Sequence, residues 1–180
     1  MRIALFGGSF NPPHVAHQFV LSYVLATARP RIDQIWMIPT FAHPFAKLLV
    51  PYSDRVAMCA LAAQPFGASV QVSQIEAELA GESYTVRTVQ TLQARHPEHT
   101  FVLVVGADLL KEFERWLDWP TLRDLLPQIV VGRKEHAGGD VELPAISSTA
   151  IRSRVEKGES IDALVPAAVV DYIRAHGLYR

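Results

Sequence analysis

Two histidines stand three residues apart at the start of the first predicted helix, directly behind a short apolar strand. His14 and His17 lie on one face of the first helical turn, and the N-terminus of a helix attracts anions. Gly7 and Gly8 precede them and allow the backbone to bend tightly and approach a ligand closely. This combination favours a phosphate-binding turn. The alternatives are a structural turn with two surface histidines, or a metal pair, for which the nearby sequence supplies no third ligand.

A second candidate anion site lies near the end of the chain, in the stretch ISSTAIRSR at 146–154. Ser147, Ser148 and Thr149 offer hydroxyl donors and a helix N-cap. Arg152 follows about one turn later, where its guanidinium can bind a phosphate. Serine capping is common before helices, so capping alone is the alternative. Together with the first turn, this stretch predicts two motifs that converge on one phosphorylated ligand.

Three further stretches carry polar or aromatic groups: HPFAK at 43–47, SYTVRT at 83–88 and GADLLKEFERW at 106–116. Asp108 follows a predicted strand, where its carboxylate can accept hydrogen bonds from ribose hydroxyls, cap a helix, or do both. Trp116 lies about two helical turns further on, where it either stacks on an aromatic ring or packs in the core. Lys47 is either a phosphate ligand or a solvated surface residue.

Short apolar runs alternate with longer amphipathic ones along the chain. Runs rich in Val, Ile and Phe predict strands at 2–6, 34–38, 69–72, 100–105 and 128–131. Helices are predicted at 15–28, 53–64, 85–95, 108–126 with a break near Pro120, 148–158 and 166–176. This alternation predicts an α/β fold: a doubly wound, mostly parallel sheet of about five to six strands with helices on both faces, in one domain spanning 1–180. Ligands bind beyond the carboxyl ends of such strands, where the polar motifs fall.

The composition is that of an average globular domain: 180 residues, 49% hydrophobic, with a formal net charge of −1. A nucleic-acid partner is not expected, because the basic footprint it requires is lacking. No apolar stretch is long enough to predict a membrane span, and no signal peptide is evident, so we expect a cytoplasmic protein. A homo-oligomer is compatible with the sequence. Cys59 lies in the apolar run VAMCALAA, which favours buried packing over a reactive thiol.

The first turn resembles the G-x-F-x-P-x-H-x-G-H signature of the nucleotidyltransferase superfamily, which has a Rossmann-like fold. Gly8, Phe10, Pro12, His14 and His17 match it, and Ala16 stands in place of glycine. The stretch at 146–152 resembles the I-S-S-T-x-I-R element of the same superfamily without departure. The resemblance implies that both histidines contact nucleotide phosphates and that Arg152 holds the outer ones. It implies ATP contacts from Gly7, Gly8, Ser9, Phe10, Gly106, Arg133, Ser147, Ser148 and Thr149.

The remaining stretches are similar to the bacterial nicotinate-nucleotide adenylyltransferase family. The positions that match in order are Ser83, Tyr84, Thr85, Gly106, Asp108 and Trp116. The resemblance implies that Tyr84, Thr85 and Trp116 frame a pyridine ring and that Asp108 meets the ribose. Arg87 stands where the family commonly has aspartate. The family's P-P-H-K becomes HPFAK, and VVGRK keeps Arg133 while losing the following proline.

The implied reaction is adenylyl transfer from ATP to nicotinate mononucleotide, with release of pyrophosphate. The attacking phosphate is already ionised near neutral pH, so the reaction needs alignment and charge neutralisation rather than a general base. His14, His17, Lys47 and Arg152 are the candidate catalytic cations and donors, with Mg²⁺ bridging the phosphates and no metal ligand expected from the protein. Alternatives are nicotinamide mononucleotide, phosphopantetheine or a phosphorylated alcohol as acceptor. A non-catalytic nucleotide-binding protein of the same fold is a further alternative.

Overall fold

Five parallel strands form the sheet, in the order β3-β2-β1-β4-β5. The computed structural model describes residues 1–43, 48–107, 116–132 and 146–180. The strands are β1 (Arg2–Gly8), β2 (Gln34–Pro39), β3 (Val70–Val72), β4 (Thr100–Gly106) and β5 (Gln128–Val131). All four pairings are parallel. The chain therefore winds outward from β1 in both directions, and the crevice between the carboxyl ends of β1 and β4 is where such sheets bind ligands.

Seven α-helices and one 3-10 helix lie within the described residues. They are α1 (Val15–Thr27), α2 (Tyr52–Ala63), the 3-10 helix (Gln64–Ser69), α3 (Ile75–Leu79), α4 (Thr85–Arg95), α5 (Trp119–Leu125), α6 (Ser148–Glu156) and α7 (Ala167–Ala175). The predicted helices at 15–28, 53–64, 85–95, 148–158 and 166–176 agree to within two residues at each end. Of the predicted helix at 108–126, residues 108–115 lie outside the described residues, and the rest begins at Trp119 with Pro120 in its first turn. None of the described helices is long and apolar enough to cross a membrane.

Both faces of the sheet are covered, as the doubly wound prediction requires. Alternate residues of β1 point to opposite faces, so Ala4 and Phe6 join one buried cluster while Ile3 and Leu5 join the other. Helix α1 packs on the first cluster through residues such as Leu21. Helices α4 and α5 pack on the second. Cys59 is fully buried in the first cluster, which confirms the packing prediction for this thiol.

A third apolar cluster places the last two helices beside α2. It joins Met58 of α2, Ile151 of α6 and Val169 of α7, each fully buried. The hydroxyl of Tyr172 in α7 also donates to Asp54 in α2 over 2.8 Å. This packing brings the N-terminus of α6, near the end of the chain, to the carboxyl edge of the sheet.

The bend after β1 differs from the predicted one. Gly7 and Gly8 belong to β1 itself, pairing in register with Ile38 and Pro39 of β2, and neither has a positive φ. The reversal falls instead on Phe10, whose φ is 45°. A Cβ at Gly8 would lie 3.2 Å from the Phe10 ring, a tight contact that would require the ring to shift by a few tenths of an ångström. The glycine thus makes room for an aromatic ring that turns back under the strand end.

Candidate active site

The two predicted anion motifs meet at the carboxyl edge of the sheet. The hydroxyl of Ser148, at the start of α6, donates to the carbonyl of Pro12 over 2.9 Å. The guanidinium of Arg152 donates to the carbonyl of Asn11, also over 2.9 Å. These bonds join segments about 140 residues apart in sequence. The turn after β1 that leads to His14 and His17, called the histidine turn below, therefore forms one unit with the N-terminus of α6.

A cleft of about 360 Å³ opens between these two segments, a size suited to part of a small ligand. The residues that line it are Ser9, Asn11, His14, His17, Leu48, Leu49, Ile146, Ser147, Ser148, Thr149 and Arg152. These lining residues include hydroxyls, imidazoles and a guanidinium but no carboxylate. Such a lining attracts anions and repels none, as a site for phosphates requires.

The orientation of His17 follows from one hydrogen bond. Its Nδ1 accepts from the backbone N–H of His14 over 3.0 Å. Since Nδ1 is an acceptor there, the neutral ring carries its proton on Nε2. Burial, and secondarily the neighbouring His14, hold the pKa of His17 well below its usual range. The Phe10 ring meets the imidazole edge-on at a centroid distance of 5.0 Å and so helps to fix its orientation.

His14 occupies the N-cap position of α1 and is only 6% exposed. Burial lowers its pKa from 6.5 to about 4. Its ring lies against that of His17 at a centroid distance of 3.7 Å, and its Nδ1 is buried without a hydrogen-bond partner. A buried imidazole nitrogen without a partner costs free energy, which a ligand atom bonded to the ring could recover. Both histidines are thus neutral near pH 7, and among the predicted cations and donors they act as hydrogen-bonding groups.

The N-terminus of α6 supplies the cationic part of the cleft. Ser147 is the N-cap, and its hydroxyl accepts from the backbone N–H of Ala150 over 3.2 Å. Arg152 is held by its bond to the carbonyl of Asn11 and by a second, 3.3 Å long, to the hydroxyl of Thr149. A guanidinium has five N–H donors. The donors that these two bonds do not use remain for an anion.

The segment predicted to bind the acceptor, residues 83–85, lies at the start of α4. Tyr84 is the N-cap residue of α4, Thr85 is its first residue, and the Tyr84 hydroxyl donates to the carboxylate of Glu82. Arg87 is exposed and donates to the carbonyls of Leu79 and Ala80, 2.8 Å each, at the end of α3. This arginine therefore joins α4 to the end of α3 by hydrogen bonds.

Of the other residues predicted to bind the acceptor or the nucleotide, some lie within the described ranges and three do not. Trp116 packs on the second apolar cluster and meets Trp119 edge-on at a centroid distance of 6.2 Å. Gly106 ends β4 at the same sheet edge as the cleft, in register with Val131 of β5. The predicted ligands Lys47, Asp108 and Arg133 lie outside the described residues.

Four residues that contribute to this edge of the sheet were not predicted from the sequence: Asn11, Arg55, Glu76 and Tyr179. Asn11 accepts through its side-chain oxygen from the hydroxyl of Tyr179 over 2.9 Å and from the amide of Val50 over 3.3 Å. Arg55 and Glu76 are buried charges beneath the loop after β2. The only sequence signal was the position of Asn11 between Gly8 and His14, because the other three residues bond mainly to backbone or to distant side chains.

A separate group of potential metal ligands lies at the opposite edge of the sheet, just before β4. Glu98 lies 3.6 Å from the Nδ1 of His96 and 3.4 Å from the Nε2 of His99. The Glu98 side chain is 60% exposed. Its position before β4, away from the carboxyl edge of the sheet, excludes a part in the cleft.

Comparison with known proteins agrees with this geometry. A family model described as cytidylyltransferase-like matches residues 5–154. A protein of Anaeromyxobacter sp. (strain K), named as a probable nicotinate-nucleotide adenylyltransferase, is 48% identical over 184 aligned residues, covering 99% of this chain and 97% of its own. A relative with the same name from Myxococcus xanthus is 39% identical over 99% of this chain and 95% of its own.

Solved structures share the fold. The Plasmodium falciparum nicotinic acid mononucleotide adenylyltransferase complexed with NaAD superposes with a TM-score of 0.79 at 20% identity, covering 99% of this chain and 97% of that one. At this identity the likeness concerns the fold alone, and it agrees with the five-stranded parallel sheet described above. The identities of 39–48% over nearly the whole chain carry the assignment further. The chain belongs to the nicotinate-nucleotide adenylyltransferases, within the cytidylyltransferase-like nucleotidyltransferases.

Proposed function

We propose that this protein transfers the adenylyl group of ATP to nicotinate mononucleotide, giving nicotinate adenine dinucleotide and pyrophosphate. The observation that carries the proposal is the convergence of the histidine turn and the N-terminus of α6 on one cleft, whose described lining residues carry no carboxylate. The names of the nearly full-length relatives supply the acceptor. Because ATP is the donor, we expect the enzyme to act in the cytoplasm.

In the proposed reaction, a phosphate oxygen of the mononucleotide attacks the α-phosphorus of ATP. The bond from that phosphorus to the bridging oxygen breaks, and pyrophosphate leaves. The nucleophile is an anion already, so no residue has to remove a proton. The protein contributes by aligning two anions that repel each other and by stabilising the negative charge on the phosphates.

The nucleotide side of the cleft would divide this task among three groups. His17 would donate from Nε2 to an α-phosphate oxygen, since its Nδ1 is engaged with the backbone of His14. Arg152 and the N-terminus of α6 would hold the outer phosphates. His14, beside His17 at the start of α1, would contribute its own imidazole to the same phosphates. Phe10 would act through packing beneath His17.

Mg²⁺ would arrive with ATP and would neutralise part of the charge on its phosphates. The residues that line the described cleft offer no carboxylate to hold the ion. We therefore propose that ATP, and not these residues, holds the cation. Mg²⁺ would therefore enter the reaction as part of the ATP substrate.

The acceptor would lie toward the start of α4. We propose that Tyr84, Thr85 and Trp116 frame the pyridine ring and that Asp108 binds the ribose. Lys47 and Arg133 would add positive charge toward the phosphates. We do not assign Arg87 to the acceptor, because its guanidinium is already bonded to the carbonyls of Leu79 and Ala80 at the end of α3.

The direct test is pyrophosphate release from ATP and Mg²⁺ with nicotinate mononucleotide, run beside nicotinamide mononucleotide and phosphopantetheine. We expect release with the nicotinate compound to exceed that with either rival. Preference for another acceptor would contradict the assignment while leaving the transfer chemistry in place. ATP binding without release for any acceptor would contradict the enzymatic proposal and favour a nucleotide-binding protein.

A further inference from the structure

A fully buried arginine lies beneath the loop that follows β2. Arg55 of α2 is 1% exposed. Its guanidinium donates to the carbonyl of Thr40 over 2.6 Å and to the carbonyl of Ser9 over 3.1 Å, and its Nε donates to the carbonyl of Val50 over 3.2 Å. Ser9 lies in the histidine turn and lines the cleft. One side chain therefore joins this turn, which is proposed to bind the nucleotide and is called the nucleotide turn below, to the loop after β2.

A buried carboxylate approaches the same loop from the opposite side. Glu76 of α3 is 9% exposed. Its carboxylate accepts from the backbone N–H of Phe41 over 3.1 Å and from the hydroxyl of Thr88 over 3.3 Å. The Ser83 hydroxyl also bonds to Glu76 and itself accepts from the N–H groups of Phe41, over 3.0 Å, and Ala42, over 3.2 Å.

The two buried charges act on one peptide unit. Arg55 binds the carbonyl of Thr40 and Glu76 binds the N–H of Phe41, which are the two ends of the same peptide group. The cation meets the negative end of the peptide dipole, and the anion meets the positive end. Removing either charge would leave the other buried with less compensation, which is costly. The arrangement therefore stabilises one position of this peptide strongly.

We propose that Arg55 and Glu76 are a pair of positioning residues that hold the Thr40–Phe41 peptide and thereby set the spacing between the nucleotide turn and the acceptor side of the cleft. The inference rests on the proposed function, because Arg55 bonds to the turn through Ser9 and Glu76 bonds to Ser83, next to Tyr84 and Thr85. Neither residue lines the cleft, so neither is itself a catalytic residue.

The first test needs no activity. Amide hydrogen exchange of Phe41 is compared in the wild type, in Glu76→Ala and in Glu78→Ala. Glu78 is a matched control, since it lies on the same helix but is exposed and pairs with Arg95 at the surface. We expect faster exchange in Glu76→Ala, where of the two acceptors of the Phe41 N–H only the Ser83 hydroxyl is left, and unchanged exchange in Glu78→Ala. Equal exchange in all three proteins would overturn the inference.

The second test separates positioning from simple stability. In folded Glu76→Ala we expect kcat to fall about 10- to 100-fold, because small misplacements of reacting groups are costly. The dissociation constant for ATP should stay within about threefold of the wild-type value, since Glu76 does not bond to the nucleotide turn. Glu76→Gln, which keeps an acceptor for Phe41, should recover part of the loss. Unchanged kcat together with faster exchange would reduce Glu76 to a structural residue and overturn the positioning role.

Arg55 gives the complementary test, because it bonds to both sides. Arg55→Lys keeps the charge but cannot reach three carbonyls in different directions. We expect it to weaken ATP binding and lower kcat together, in contrast to Glu76→Ala. An ATP affinity equal to that of the wild type would refute the link through Ser9. If the wild type releases no pyrophosphate, the proposed function fails, while the exchange comparison and the ATP affinity of Arg55→Lys still decide whether the pair holds the loop.

Discussion

The stability of the ligand-free protein should depend on pH through His14. This imidazole is buried, and burial lowers its pKa from 6.5 to about 4. In the unfolded chain the same group would take up a proton near pH 6.5. Between pH 6.5 and pH 4 the unfolded state therefore binds a proton that the folded state does not, and stability falls as the pH is lowered. Above pH 6.5 both states are neutral and this contribution is constant.

The size of the effect follows from the two pKa values. The interval from 6.5 to about 4 corresponds to a loss of about 3 kcal/mol in the free energy of unfolding. The part of that interval above pH 5 corresponds to about 2 kcal/mol. This is a large share of the typical stability of a domain, about 5–15 kcal/mol. It is therefore within reach of an equilibrium experiment.

The assay is urea unfolding of the wild type and His14→Asn at several pH values between 5 and 8. Asparagine does not titrate and is a favourable residue at the N-cap position that His14 occupies. The other titrating groups contribute to both proteins, apart from the part of the His17 pKa depression that His14 causes, so the difference between the two pH profiles reports His14 together with that coupling. We expect the wild type to lose about 2 kcal/mol more than the variant on going from pH 7 to pH 5. Parallel profiles would refute the assignment of a buried neutral imidazole.

Three further predictions concern the cleft, the sheet edge and the core. His17→Ala should lower kcat about 100-fold or more while changing the acceptor KM little, because one phosphate donor is lost; wild-type turnover in a steady-state assay would remove His17 from the catalytic groups. Gly132→Ala should destabilise the fold by about 1–3 kcal/mol in urea unfolding, since a Cβ at Gly132 would lie 2.1 Å from the Cβ of Ala107. Gly106→Ala is its control and should cost less, because no atom of the described residues, its chain neighbours apart, lies within 4 Å of the corresponding position. Cys59 should react with a thiol reagent only on unfolding, because burial raises its pKa and covers its sulfur; fast labelling of the native protein would contradict this.

The sheet was predictable because its strands are short, continuous apolar runs with clear boundaries. The runs at 34–38 and 128–131 correspond to Gln34–Pro39 and Gln128–Val131. The chain from Gln64 to Leu79 was less predictable. The 3-10 helix and the five-residue α3 are too short to display a period of 3.6 residues, so the sequence carries no pattern for them.

The site was predictable where chemistry coincides with the end of a regular element. His14, His17 and Ser147 stand at helix starts, and helix starts after parallel strands gather at one edge of the sheet. The meeting of the two distant motifs followed from this rule and is present in the bonds to Asn11 and Pro12. The bend was placed wrongly, because the glycines suggested a turn where the strand in fact continues.

The buried pair escaped prediction for a different reason. Arg55 in SDRVAM and Glu76 in QIEAEL are ordinary helix charges by sequence, and such residues are almost always exposed. Their partners are chiefly backbone carbonyls and amides of loops far away in the chain. Backbone groups have no residue identity, so no spacing rule or motif could indicate the pairing.

The electrostatics of the cleft could not be predicted in full from residue types. Two histidines can serve as cations or as neutral donors, and burial keeps both imidazoles neutral at pH 7. Arg152 and the start of α6 are then the described sources of positive potential. A phosphate bound at the ring edge of His14 would favour the protonated form of that imidazole, since an opposite charge nearby raises the pKa of a histidine, whereas His17 keeps Nδ1 as an acceptor for the backbone N–H of His14. Binding of ATP should then be accompanied by proton uptake, seen in titration calorimetry as a binding enthalpy that changes with the ionisation enthalpy of the buffer. A binding enthalpy that is the same in phosphate and Tris buffers at pH 7 would mean that His14 and His17 remain neutral donors throughout.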